Sequence, residues 1–193
     1  MRLLVTGAMG HVGYAVSLLA AGRGQEVIAL HRGGFRQADA ARAGEAVTWL
    51  RCDLKDKSAI EAIAQAHKID AAIHCAAVSN EAYARPNPVE AIESNIGATA
   101  NLLDAARRHG WRRLVVVSTG SVFQRRADLI SPIREEEPPQ PGNVYGTTKA
   151  AAEQIVRMYR SEYGLSAERC ASAGSMARRC SPIHRPAVPS PPT

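Results

Sequence analysis

At 193 residues, 46% of them hydrophobic, the chain is long and apolar enough for one packed domain, which excludes a disordered protein. No apolar run reaches the roughly 20 residues that span a bilayer, and the leader-like stretch from Arg2 to Ala21 is broken by glycines where a secretory leader is continuous. The net charge of +6 marks no nucleic-acid surface: Arg169, Arg178, Arg179 and Arg185 lie beyond the last carboxylate, Glu168, and without them 20 basic residues face 18 acidic ones.

Apolar strand-like runs alternate with helical patterns, the signature of a parallel sheet built from βαβ units. Arg2–Thr6 reads as a buried first strand and Val12–Ala21 as the helix after it. Glu26–Leu30 and Val47–Arg51 are the second and third strands, followed by a helix over Ser58–His67. Ala71–Cys75 is the fourth strand, Val89–His109 one long helix, and Leu114–Val117 the fifth strand. Arg125–Asn143 holds most of the prolines outside the tail and reads as a surface loop, and Tyr145–Tyr163 is a helix stopped by Gly164. From Arg169 onward Arg, Ser, Pro and Ala dominate without a period of 2 or 3.6, so 1–168 reads as the domain and 169–193 as an irregular, disordered basic tail. Cys52, Cys75, Cys170 and Cys180 form no C-x-x-C pair; the first two suit buried, inert thiols, and a reducing cytoplasm fits.

The first strand runs into Thr6-Gly7-Ala8-Met9-Gly10-His11-Val12-Gly13. Gly7 permits the positive φ of a tight turn, Gly10 the approach of a pyrophosphate, and Gly13 close packing of helix on strand. The helix N-terminus then offers free N–H groups to the phosphates of a nicotinamide dinucleotide. At the end of the second strand an acidic side chain would take the ribose hydroxyls of NAD, whereas cations accept the extra phosphate of NADP. Leu30-His31-Arg32, with Arg36 near, favours NADP over NAD; a solvated basic loop is the alternative.

Tyr145 and Lys149, one helical turn apart, share a helix face. A nearby ammonium and a positive nicotinamide ring can lower a tyrosine from its usual pKa of about 10 toward neutrality. Val117-Ser118-Thr119-Gly120-Ser121 ends the fifth strand and puts hydroxyls at the carboxyl edge of the sheet, where open α/β folds bind ligands.

Those segments, with Asp53-Leu54, His74-Cys75-Ala76-Ala77, Ser94-Asn95-Ile96-Gly97-Ala98-Thr99, Ser118–Phe123 and Tyr145–Lys149, follow one another in order. On them the chain resembles, from Met1 to about Leu165, the extended short-chain dehydrogenase/reductases, the NAD(P)-dependent epimerase/dehydratase group that includes nucleotide-sugar 4-epimerases. The resemblance implies a doubly wound Rossmann-type α/β domain. It makes Thr119 the catalytic hydroxyl, Tyr145 the acid/base, and Lys149 the residue that lowers the Tyr145 pKa and holds the nicotinamide ribose. Asp53 and Leu54 would flank the adenine, Ala76 and Ala77 line the cofactor channel, and Asn95 support the active-site backbone and a water. Taken singly, Asp53 could cap a turn, the alanines pack a strand, and Asn95 be an ordinary helix polar group.

Hydride transfer at a carbinol carbon of a nucleotide sugar or similar small molecule is the implied reaction. A small-molecule substrate and a second copy in a homodimer are the partners expected, with neither nucleic acid nor membrane. The chain departs from the family pattern at two places. His31 stands where NAD-preferring relatives carry Asp, and after Leu165 the sequence shows neither the family's sixth strand nor its substrate domain. Truncation, a fifth strand left as an open edge, and self-association are therefore expected. A dinucleotide-binding regulator without catalysis, or an inactive truncated or frameshifted product, are the rival readings.

Overall fold

The inner strands are largely apolar because both faces of the sheet are covered. In the computed structural model, which describes residues 1–127, 132–134 and 136–172, six parallel strands form one sheet in the order β3-β2-β1-β4-β5-β6. They are β1 (Arg2–Thr6), β2 (Glu26–His31), β3 (Val47–Arg51), β4 (Ala71–His74), β5 (Arg113–Thr119) and β6 (Ala167–Ser172). The chain order reverses between β1 and β4, so the carboxyl ends of those two strands flank the crevice where doubly wound sheets take ligands.

Alternation along each strand sorts the core into two layers. Leu3, Val5, Val27 and Ala29 pack with Ala20 of helix α1 (His11–Ala21) and Ala43 of helix α2 (Gln37–Ala43). Leu4, Ile28, Leu30 and Leu114 face the other side. There they meet Ile60 of α3 (Lys57–His67), Leu102 and Leu103 of α6 (Ala98–Arg108), and Val156 of α7 (Val144–Tyr163). Leu102, Leu103 and Leu114 are fully buried, and each contributes about 1.5–3 kcal/mol of apolar transfer.

Helix α7 is delimited by its own sequence. The Asn143 side chain accepts from Gly146 N at its start, and Gly164, with φ of 62°, closes its end in the left-handed conformation. The long helix expected over Val89–His109 is instead three pieces: α5 (Pro88–Ile92), a π-helical turn (Glu93–Gly97) and α6. Between β4 and α5 lies the short α4 (Glu81–Ala84).

The sixth strand, absent from the apolar pattern of the sequence, is present in the fold. β6 pairs in parallel with β5 from Leu114↔Ala167 to Thr119↔Ser172, so β5 is not an open edge. Ala-Glu-Arg-Cys-Ala-Ser lacks an apolar run because β6 is itself an edge strand, where charge is tolerated and protective. Ala167 enters the core, while Glu168 pairs with Arg160 at 2.8 Å. The domain thus extends past Glu168 to at least Ser172. Residues 173–193, read from sequence as the remainder of an irregular tail, lie outside the described residues, as do 128–131 and 135 of the proline-rich loop.

Candidate active site

The turn after β1 is closed by contacts only glycine allows. Gly7 has φ of 63°, and a Cβ there would lie 2.7 Å from Ala76 N; at Gly13 a Cβ would lie 2.3 Å from Gly7 O. Gly10 N donates to Gly7 O at 2.8 Å, and Gly10 caps α1 without a side chain. The first N–H groups of α1, which have no intrahelical acceptor, therefore open toward the turn at the positive end of the helix dipole. This is a fit for a pyrophosphate. Gly13 serves the turn from behind, by packing.

A cleft of about 510 Å³ runs from this turn along the carboxyl edge of the sheet. Gly7, Gly10, His31 and Arg32 line it, as do Asp53, Leu54, Ala76 and Ala77. Eight of the residues singled out from sequence for cofactor binding thus share one wall. Asp53 also accepts from Lys55 N at 3.0 Å, holding the turn that presents Leu54. The elongated form and the glycine floor fit a dinucleotide.

Asn95 and Lys149 stand apart from that wall. Asn95, buried in the π turn, accepts from Val78 N at 2.7 Å and donates to Val78 O at 3.2 Å and to Thr148 Oγ1 at 2.9 Å. Its amide clamps the loop after β4 to α7. π turns recur at functional sites because they re-aim a side chain out of helical register. A buried chain of hydrogen bonds continues this clamp to the glycine turn. Thr99 Oγ1 donates to Asn95 O at 2.7 Å and so accepts from His74 Nε2 at 3.1 Å. His74 Nδ1 accepts from Thr6 Oγ1 at 2.7 Å, and Thr6 Oγ1 accepts from Ala76 N at 3.2 Å. Burial holds the His74 pKa down at about 3, so the ring is neutral.

Thr119 and Tyr145 are brought together at the end of β5 and the start of α7, where the Thr119 side chain favours the ionised form of the Tyr145 phenol. Glu81 Oε2 accepts from Tyr145 N at 2.9 Å and fixes the first turn of α7. The downward pull of Lys149 on Tyr145 expected from their spacing is not what the structure gives. Burial pushes the Tyr145 phenol up, and the opposing influence is Thr119. Lys149 Nζ donates to Val117 O at 2.6 Å. Burial lowers its pKa to about 8, against the attraction of Glu153 and Cys75.

Sequence reasoning missed Glu81, Glu90 and Glu153. Glu153 had a signal, since it follows Lys149 by four residues on the face that carries Tyr145. It accepts from Ser118 Oγ at 2.5 Å. Glu90 had none. It reaches Arg32 from a distant element, Arg32 Nη1 donating to Glu90 Oε1 at 2.5 Å. Arg36 is engaged as well, with Asp39 and, at 3.2 Å, with Met9 O. The carboxylate-free cationic fork read from sequence is thus occupied. His31 stacks on Phe35 with ring centroids 5.0 Å apart.

The profile of the NAD dependent epimerase/dehydratase family matches residues 3–168. The chain belongs to that family. It is 33% identical over 165 residues to a UDP-glucose 4-epimerase of Halalkalibacterium halodurans, covering 86% of this chain and 48% of that protein. A UDP-glucose 4-epimerase of Streptomyces lividans is 32% identical over 169 residues, covering 86% and 50%. Among solved structures, the UDP-glucose 4-epimerase of Thermus thermophilus in complex with NAD superposes with a TM-score of 0.80 at 30% identity, covering 88% of this chain and 54% of that one. The family member described here spans about half the length of the relatives it matches. Among the described residues no helix is long and apolar enough to cross a membrane.

Proposed function

We propose that the protein binds NAD and carries out reversible hydride transfer at a carbinol carbon of a nucleotide sugar. The observation that carries this reading is the Thr119–Tyr145 hydroxyl pair at the carboxyl edge of the sheet that also bears the glycine cradle. Relatives named as UDP-glucose 4-epimerases, and a similar structure titled as a complex with NAD, support the substrate class and the cofactor. The Arg32–Glu90 pair favours NAD over the NADP suggested by sequence, because the cation meant for an extra phosphate already holds a carboxylate.

Bound NAD supplies a hydride acceptor and a positive ring near Tyr145. Tyr145, as phenolate, takes the proton of the substrate hydroxyl while the hydride leaves the same carbon, so alcohol becomes carbonyl; the return of both restores it. Thr119, at the end of β5 beside Tyr145, orients the substrate oxygen toward the phenol. Lys149 is largely an ammonium at pH 7, with its pKa at about 8, held against Val117 O one helical turn from Tyr145.

The test has two stages. NADH titrated into the purified protein, followed by fluorescence, is expected to bind, and Gly10→Val to weaken that binding at least tenfold. Equal affinities would sink the cradle. NAD+ mixed with UDP-glucose is then expected to give an absorbance rise from NADH that Tyr145→Phe abolishes with NADH affinity nearly unchanged. A rise retained in Tyr145→Phe would remove the proposed acid/base, and no rise with the parent protein would leave a dinucleotide-binding protein without this reaction.

A further inference from the structure

The acidic side chain that holds Arg32 of the cleft wall comes from an unexpected element. In sites for NAD a carboxylate ends the second strand and binds the ribose hydroxyls. Here β2 ends in His31 and is followed by Arg32, and the carboxylate arrives from α5. Glu90 accepts from Arg32 Nη1 at 2.5 Å, from Lys55 Nζ at 2.6 Å and from Ser94 Oγ at 2.9 Å. All three partners line the cleft. Three elements on different sides of the cleft mouth are thus tied to one anion.

We infer that Glu90 is a specificity-determining residue that excludes a 2′-phosphorylated dinucleotide and so makes the site selective for NAD. The inference rests on the dinucleotide reading above. A phosphate on the adenosine ribose would need Arg32, the cation nearest the end of β2. To reach it, the phosphate must either displace Glu90 or settle beside it as a second anion. Displacement strips Glu90 of one of its two close cations, and coexistence places like charges in contact. Either way the dianion is penalised, whereas an uncharged ribose hydroxyl is not. Arg36, held by Asp39 and Met9 O, offers no free substitute.

The experiment is a titration of the full chain with NAD+ and with NADP+ by calorimetry at low ionic strength. The parent is expected to bind NAD+ at least tenfold more tightly. Glu90→Gln, which keeps the shape and removes the charge, is expected to tighten NADP+ binding at least fivefold while shifting NAD+ no more than twofold to threefold. Arg32→Ala added to Glu90→Gln is expected to erase the gain, since the freed guanidinium supplies it. An NADP+/NAD+ ratio that is the same in parent and Glu90→Gln overturns the role of Glu90 while leaving the cleft a dinucleotide site. A gain that survives Arg32→Ala overturns it too. Binding of neither dinucleotide to the parent overturns the site and this inference together.

Discussion

Arg169, on the edge strand β6, holds Glu153 of α7 with 3.2 Å between Nε and Oε2. The Glu153 carboxylate is buried and also accepts from Ser118 at the end of β5. One side chain from a segment without apolar pattern therefore pins the helix that carries Tyr145 and Lys149 to the sheet. Removing one partner of a buried pair leaves an uncompensated charge, which typically costs about 3–5 kcal/mol. Arg169→Met is expected to lower stability by about 2–4 kcal/mol in urea denaturation. Adding Glu153→Leu should recover part of that loss, because no buried charge then remains. A double variant less stable than Arg169→Met would show that the carboxylate does not need its partner.

The glycine turn separates packing from binding. A Cβ at Gly13 would stand 2.3 Å from Gly7 O, a backbone atom that cannot step aside. At Gly10 the nearest atom, again Gly7 O, is 3.1 Å away, which a small shift accommodates. Gly13→Ala is therefore expected to destabilise by at least about 2 kcal/mol through overpacking. Gly10→Ala should cost under about 1 kcal/mol in stability and reveal itself in NADH affinity. Thermal denaturation of the two variants checks this, and an equal loss in both would contradict the geometry.

What the sequence disclosed and what it hid follow a physical line. The first five strands in chain order, the Gly7 turn and the Gly164 end of α7 are local signals: buried runs, positive φ and a cap. Strand β6 was hidden because an edge strand is specified by its neighbour, through Glu168 and Arg169 pairing with Arg160 and Glu153, rather than by hydrophobicity. The π turn at Glu93–Gly97 leaves the apolar spacing of Val89–His109 almost intact, so periodicity alone reads through it. Lys149 was placed on the right helix face, yet its acceptor, Val117 O, belongs to another element. The same holds for Glu90 at Arg32. Residue types near a site were legible; their partners across the fold were not.

His74 makes stability depend on pH in a defined window. Its folded pKa is about 3, against 6.5 for an unperturbed histidine, because burial disfavours the charged ring. Between those values the unfolded chain holds more protons than the folded one, so stability falls as pH falls. The contribution lost by pH 5 is about 2 kcal/mol. The carboxylates with lowered pKa, Glu90 among them, begin to lose their contributions as pH falls through about 4.5, so they leave the part of this window above pH 5 clear. His31, lowered by burial, acts in the same sense. Urea denaturation of His74→Gln at pH 6.5 and pH 5 should show most of the slope gone; an unchanged slope would mean the ring is not held neutral.

Lys149 should produce a rise in stability on the alkaline side, within narrow limits. Burial brings its pKa to about 8 from 10.5, so above pH 8 the folded protein loses this proton while the unfolded chain keeps it. The unfolded state then binds more protons, and stability increases with pH. Cys52 and Cys75 oppose this from about pH 8 upward. Each is pushed by burial from 9.0 to about 11, so the unfolded thiols ionise first and stability declines. The Lys149 contribution climbs by about 1 kcal/mol between pH 8 and 9, the two thiols offset roughly two thirds of it, and net stability should rise by about 0.3 kcal/mol there and fall beyond. Lys149→Met removes the ammonium and should abolish the climb while keeping the later decline, and Cys52→Ala with Cys75→Ala should do the reverse. Guanidinium denaturation at pH 7.5, 8.5 and 9.5 distinguishes these outcomes. A climb that persists in Lys149→Met would show that the Lys149 ammonium is not desolvated against Val117 O.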